Sequence, residues 1–225
     1  IKKLKKIIKI IFIILFLIVV FIIITLSIPT VQTYIAKKVT TKLNKNFGTN
    51  INISRLGLNW KGEIDIKDVY IEDHHSDTLI YVKTLNTDLL SLKNLVEGDL
   101  YFGFIELNKA KFYIKTYKDE KSDNVSIFAN KFNSTSPSSD KKFVLKANDI
   151  KFSDSNVKIT NENLEQSEIF NLSFINIESE IFSIVGPNVN TTIKQLSLES
   201  QRGFDIKNLT GIFSYSLTSI SIKQL

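Results

Sequence analysis

Cysteine and methionine are both absent from the 225 residues. Without cysteine there is no disulfide framework, no thiolate metal site and no thiol nucleophile, so folding rests on burial alone. With no methionine even at position 1, the numbering is expected to start after a missing initiator or a truncation. Proline occurs three times and glycine eight times. So few turn formers fit poorly with a closed barrel or an immunoglobulin-like sandwich. Also missing are G-x-S-x-G, a glycine-rich phosphate loop and H-E-x-x-H, which removes the best-marked hydrolase, nucleotide and zinc-protease chemistries. Neither an enzyme nor a cofactor is expected.

A charge surplus is missing from most of the chain as well. Lys and Arg number 29 against 23 Asp and Glu, but Lys2, Lys3, Lys5, Lys6 and Lys9 form a basic flank over residues 1–9, leaving 29 − 5 = 24 against 23. The remainder is near neutral and has no electrostatic footprint for nucleic acid.

What is present begins with an apolar run. Residues 10–36 contain no charge, and residues 10–28 read as one membrane-spanning helix, since about 20 residues at 1.5 Å rise cover a roughly 30 Å hydrocarbon core. A cleaved secretory signal is the alternative. The run exceeds the usual apolar length of a signal, and Ser27, Ile28 and Pro29 make a poor cleavage site. The basic flank places the amino terminus in the cytoplasm and everything after Pro29 across the membrane.

Residues 29–47 follow as an amphipathic helix, with Val31, Ile35, Val39 and Leu43 at four-residue spacing and Gly48 at its carboxy-terminal cap. The stripe is expected to cap the next domain rather than lie on lipid, being narrow for an interfacial helix. From residue 48 the period becomes two, as in Ile51 and Ile53, Ile64 and Ile66, Val69 and Ile71. A turn is expected at Lys61 and Gly62, and a short helix or crossing over residues 89–96. Further strands are expected over residues 79–85, 100–107, 111–117, 143–152, 156–160, 169–184, 190–200, 204–209, 211–217 and 219–225. Residues 118–142 read as a flexible polar loop with a helical turn near 125–132.

Recurring short strand units without a closing signal predict a mainly β protein: an elongated, curved sheet over residues 48–225 that continues beyond them. About 13 strands at roughly 4.8 Å give a sheet on the order of 60 Å long.

Residues 72–77, Glu-Asp-His-His-Ser-Asp, hold both histidines. Adjacent histidines on a strand point to opposite faces, although in a turn they could converge. No well-separated third ligand is visible, so a solvated turn is expected and no metal site. Phe102, Phe104, Phe112, Phe152, Phe174, Phe213 and Tyr215 either fill a sheet core or line a groove open to lipid, because an uncovered curved sheet exposes a long apolar face.

Basic flank and apolar run, Pro29, Val31, Gln32, Ala36, Leu43, Asn44, Phe47, Gly48, Thr49, Leu56, Trp60, Gly62, Val69, Ile71, Asp73-His74-His75 with Asp77-Thr78-Leu79-Ile80, and Arg202-Gly203-Phe204 with Leu209 and Phe213 stand in an order that resembles the TamB (translocation and assembly module) family in its Bacteroidetes-type form. The resemblance covers essentially the whole chain. It implies an AsmA-like, taco-shaped β-sheet with an apolar groove, anchored in the inner membrane and lying in the periplasm. Phospholipid and a BamA/TamA-type outer-membrane barrel protein are the implied partners, and lipid transport with outer-membrane biogenesis is the implied function. The carboxy-terminal domain that meets the barrel is absent from these residues. Alternation nominates Ile64, Ile66, Phe112, Ile114, Val157, Ile159, Leu196, Leu198, Phe213, Tyr215 and Leu217 as groove lining. A non-conducting scaffold for outer-membrane protein insertion is the alternative.

Overall fold

The computed structural model describes residues 28–58, 63–88, 90, 99–131, 144–216 and 218–223, together with the helical positions Ile13, Ile14, Leu17 and Phe21. Among these, no helix is long and apolar enough to cross a membrane. The expected span at 10–28 lies almost wholly outside the described residues, as do the turn at Lys61 and Gly62 and, Leu90 apart, the crossing at 89–96.

Helix α1 (Pro29–Phe47) starts with proline in its first turn and ends at Gly48, whose φ of 61° and ψ of 32° are the left-handed values a glycine adopts without a Cβ clash. It packs along β1 (Asn50–Leu58). Among its described side chains, Gln32, Ala36 and Thr40 are buried, one residue on from the apolar stripe, and Val31 and Leu43 are half-buried. Asn44 completes the contact. Its side-chain amide donates to the Ile51 carbonyl at 3.0 Å and accepts from the Ile51 N–H at 2.8 Å, imitating a neighbouring strand at the start of β1.

The other strands are β2 (Glu63–Glu72), β3 (Thr78–Asp88), β4 (Asp99–Thr116), β5 (Val144–Asn161), β6 (Glu168–Val185), β7 (Asn188–Ser200), β8 (Asp205–Ser216) and β9 (Ser219–Lys223). They form one open, curved sheet in strict sequence order, antiparallel except for the parallel β4–β5 pair. Between those two strands comes α2 (Asn124–Asn130), capped by Asp123, whose carboxylate accepts from the Ser126 N–H at 2.8 Å. The described sheet therefore has nine strands rather than about 13, on the order of 40 Å across. Three expected breaks are absent: 100–107 and 111–117 are one strand, as are 143–152 and 156–160, and 204–209 and 211–217 up to Ser216.

Two of those apparent breaks are creases. Asp68 in β2, Lys109 in β4, Asp154 in β5 and Phe174 in β6 have φ between 49° and 53°. The first three stand at one level, because Val69 pairs with Val82, Val82 with Ala110, and Asn108 with Ser153. At each, the spacing of inward residues lengthens from two to three. Ile66 and Ile71 both pack beside Val69, and Leu107 and Phe112 both pack beside Ala110. Two consecutive residues, such as Lys67 and Asp68, thus sit on the outer face, and the strand bends there as at a β-bulge. Polar side chains close the gaps. Ser54 Oγ and Tyr81 OH donate to the Asp68 carboxylate at 3.0 and 2.6 Å, and the buried Ser155 hydroxyl accepts from the Ala110 N–H at 3.2 Å. These bonds hold the Asp68 carboxyl below the ordinary aspartate range.

The core lies beside this crease. Val69, Val82 (2% exposed), Ala110 (0%) and Ile175 are buried, with Ile105, Ala147 and Ile150 in a second cluster. Among the described residues no second sheet covers them. Both clusters lie on the face of the curved sheet that carries its inward-pointing apolar side chains.

Candidate functional site

The pairing register turns the inner face into continuous apolar rows. One row runs Leu56, Ile66, Leu85, Leu107, Phe152, Ile177, Leu196, Leu209, a single residue from each of eight consecutive strands. A second runs Ile51, Ile71, Ile80, Phe112, Val157, Leu172 and ends at Ser200. The outer neighbours of the first row are Asp65, Asn86, Glu106, Lys151 and Glu178, so the two faces differ sharply in polarity.

Ile64, Ile66, Phe112, Ile114, Val157, Ile159, Leu196, Leu198, Phe213 and Tyr215 all fall on this inner face. Ile114 pairs with Ile159 and Ile159 with Phe170; Leu198 meets Ile206; Phe213 and Tyr215 meet Ile222 and Ile220 on β9. Leu217 lies outside the described residues. Of the remaining aromatics, Phe102 and Phe152 pack inward, whereas Phe104 pairs with the outer-face Asp149 and Phe174 is exposed on the crease. Helix α2 follows β4 and reaches over the inner face. Ser126 Oγ stands 3.4 Å from the Tyr215 hydroxyl, and Lys131 Nζ donates to the Gly48 carbonyl at 2.7 Å.

At one rim of the sheet three connections meet in a polar knot. Asp73 organises the β2–β3 turn: its Oδ1 accepts from the N–H groups of His75 and Asp77 at 2.9 and 3.0 Å, with Ser76 in the left-handed region at φ 64°. Its Oδ2 accepts from Tyr117 OH at 2.7 Å and from Asn124 Nδ2 at 2.9 Å. Asn124 is 1% exposed; its Nδ2 also donates to the Tyr113 carbonyl, and its Oδ1 accepts from the Lys115 N–H at 2.8 Å. Burial opposes ionisation of Asp73, but its four hydrogen bonds outweigh that and hold the carboxyl below the ordinary range. Burial, then bonding to Asp73 and Asp77, pushes the Tyr117 phenol up.

On the solvent side of the knot, His74 Nε2 lies 2.9 Å from Glu120 Oε2 and His75 Nε2 lies 2.7 Å from Glu120 Oε1. The His75 ring stacks on Tyr117 with centroids 3.9 Å apart, and Lys115 Nζ stands 4.1 Å above the same ring while bonding Glu162 at 2.8 Å. The Glu120 carboxyl is held below the ordinary glutamate range by bonds to His75 and His74.

No protein-family model matches the chain, and no curated protein matches it.

Two features escaped the sequence. Glu120 is 45 residues beyond His75, and Asn124 sits in a stretch expected to be loose. In the structure residues 118–131 are tied down by Asp123, Asn124 and the Asn163 amide, which donates to the Tyr117 and Glu120 carbonyls. The helical turn expected near 125–132 is α2, which begins at Asn124.

Proposed function

We propose that this chain is a TamB-like bridge protein that is anchored in the inner membrane by residues 10–28 and conducts phospholipid along its inner apolar face towards the outer membrane. The carrying observation is the row from Leu56 to Leu209, which crosses eight strands without a polar interruption. Acyl chains could slide across strands from one isoleucine or leucine to the next, while the charged outer face stays in water. Helix α1 stands at the first strand, where lipid leaving the membrane would enter. No side chain needs to do covalent chemistry for this, and no enzymatic activity is proposed.

The test is native mass spectrometry with lipid analysis on the full chain in mild detergent. Phospholipid should co-purify with the wild type, be lost in Ile114→Asp and Ile177→Asp, and survive the outer-face change Thr84→Asp. A well-folded, lipid-free wild type would overturn the conduit.

One observation favours a second reading, a scaffold that pairs with a barrel-type partner or its clients. Strand β9 pairs only with β8 among the described residues, and its Ile220 is 70% exposed, so a further strand could add there. Client assembly that persists when the trough is made polar would favour this scaffold.

A further inference from the structure

We propose that His74, His75 and Glu120 form a binding site for one divalent transition-metal ion, Zn²⁺ by the chemistry of the donors. The three side chains offer ligand atoms that lie within 4.8 Å of one another. Two imidazole nitrogens and one carboxylate oxygen are a borderline-soft set that suits zinc, whereas Mg²⁺ and Ca²⁺ favour oxygen ligands.

The obstacle to a site here is that neighbouring histidines usually diverge. The Asp73 turn removes it. With the His75 and Asp77 N–H groups both bound to Asp73 Oδ1 and Ser76 in the left-handed region, the chain reverses within the His-His pair and both Nε2 atoms reach the same carboxylate. The third ligand is also held in place. The Glu120 N–H donates to the Tyr117 carbonyl at 3.1 Å, its carbonyl accepts from Asn163 Nδ2 at 2.9 Å, and Tyr117 is itself clamped to Asp73.

The spacing fits. Ligands about 2.05 Å from a tetrahedral zinc stand about 3.3 Å apart. Glu120 Oε1 stands 3.2 Å from His74 Nε2 and 2.7 Å from His75 Nε2, so the first pair is already near ligand spacing and only the second must open, by about half an ångström, for one carboxylate oxygen and two imidazole nitrogens to share the ion. The side chains of His74, His75 and Glu120 are 22%, 45% and 29% exposed, which leaves the fourth position to water. The ion would join the β2–β3 turn to the segment entering α2. Its role would be a staple that steadies the helix over the inner face, a role separate from the lipid reading and independent of it.

The experiment uses the full chain in mild detergent, without a histidine tag and stripped of metal. Because the chain has only two histidines, any imidazole-dependent binding reports on this pair. Calorimetric titration should give one Zn²⁺ per chain and no comparable Mg²⁺ binding. Co²⁺ should give the visible absorption of a four- or five-coordinate ion with nitrogen ligands, and Zn²⁺ should raise Tm by several degrees and slow proteolysis within residues 118–131. His74→Ala, His75→Ala and Glu120→Gln should each weaken Zn²⁺ binding by about tenfold or more, since loss of even an outer partner of a ligand costs that much. Glu120→Gln keeps a hydrogen-bonding group for both rings, so its metal-free circular dichroism should match the wild type and its loss of binding cannot be ascribed to unfolding. Zinc binding no tighter in the wild type than in the doubly substituted His74→Ala/His75→Ala chain, or a Co²⁺ spectrum of a six-coordinate aqua ion, would overturn the site.

Discussion

Replacing Asn124 by alanine tests whether the knot, rather than the apolar trough, fixes residues 117–131 to the sheet. Its amide joins Asp73 Oδ2 at 2.9 Å, the Tyr113 carbonyl at 3.0 Å and the Lys115 N–H at 2.8 Å, all at a position 1% exposed. Removal strands the Lys115 N–H and takes from the partly buried Asp73 carboxylate one of its two side-chain donors. A buried group left unsatisfied costs about 1–3 kcal/mol, more when charged, so the loss should come to about 3 kcal/mol, less whatever a water entering the space restores. That is roughly a 150-fold change in the folding equilibrium and a large share of an ordinary domain's stability. Urea unfolding of the full chain in detergent should show a lower midpoint with an unchanged slope. Lys151→Ala is the control, since its 2.9 Å pair with Glu178 is half-exposed and its loss should leave the midpoint almost unchanged. A loss below about 1 kcal/mol for Asn124→Ala would show that the knot does not hold the segment.

Other outcomes follow from the creases and their neighbours. Phe174 combines a φ of 49° with 57% exposure, so Phe174→Gly should relieve left-handed strain and raise stability by up to about 1 kcal/mol; a lower urea midpoint would refute this. At Gly103 an added Cβ would stand 2.5 Å from Asp88 Oδ2, whose partner Oδ1 accepts from the Gly103 and Phe104 N–H groups. Gly103→Ala should push that carboxylate away and cost about 1–2 kcal/mol, read from thermal unfolding. Ser155→Ala orphans the Ala110 N–H at a fully buried position and should cost about 1–3 kcal/mol by the same measurement. The Asp68 carboxyl is depressed by Tyr81 and Ser54, so the stability it adds is present above about pH 4 and is lost as pH falls through its folded value. The gap between wild type and Tyr81→Phe should accordingly be widest near neutral pH and narrow as pH falls below about 4, as followed by midpoints across a pH series.

Much of the strand content was legible because half-buried strands advertise their period. Pairs such as Ile51 and Ile53, or Phe112 and Ile114, mark one face whatever the sheet's shape. The long strands were not legible as single elements. Asn108-Lys109 and Ser153-Asp154 look like turns because turns and creases both select polar residues able to occupy left-handed backbone. Part of the helix contact left no periodic signal: Gln32, Ala36 and Thr40 are buried and Asn44 supplies the strand-like bonds to β1, so small size and hydrogen-bonding capacity contribute where apolar spacing shows nothing.

By itself the sequence determined the broad class, a sheet with one apolar and one polar face preceded by a helix ending at Gly48, because periodicity and capping act over a few residues. Tertiary structure alone decided which residues stand level with one another. Register aligned one inward leucine, isoleucine or phenylalanine from each of eight strands into one row and stacked the creases that bend it. It also carried Glu120 and Asn124 back across more than forty residues to the turn that holds His74 and His75. Local chemistry sets where a side chain points along its own strand, but only pairing between strands sets what it points beside.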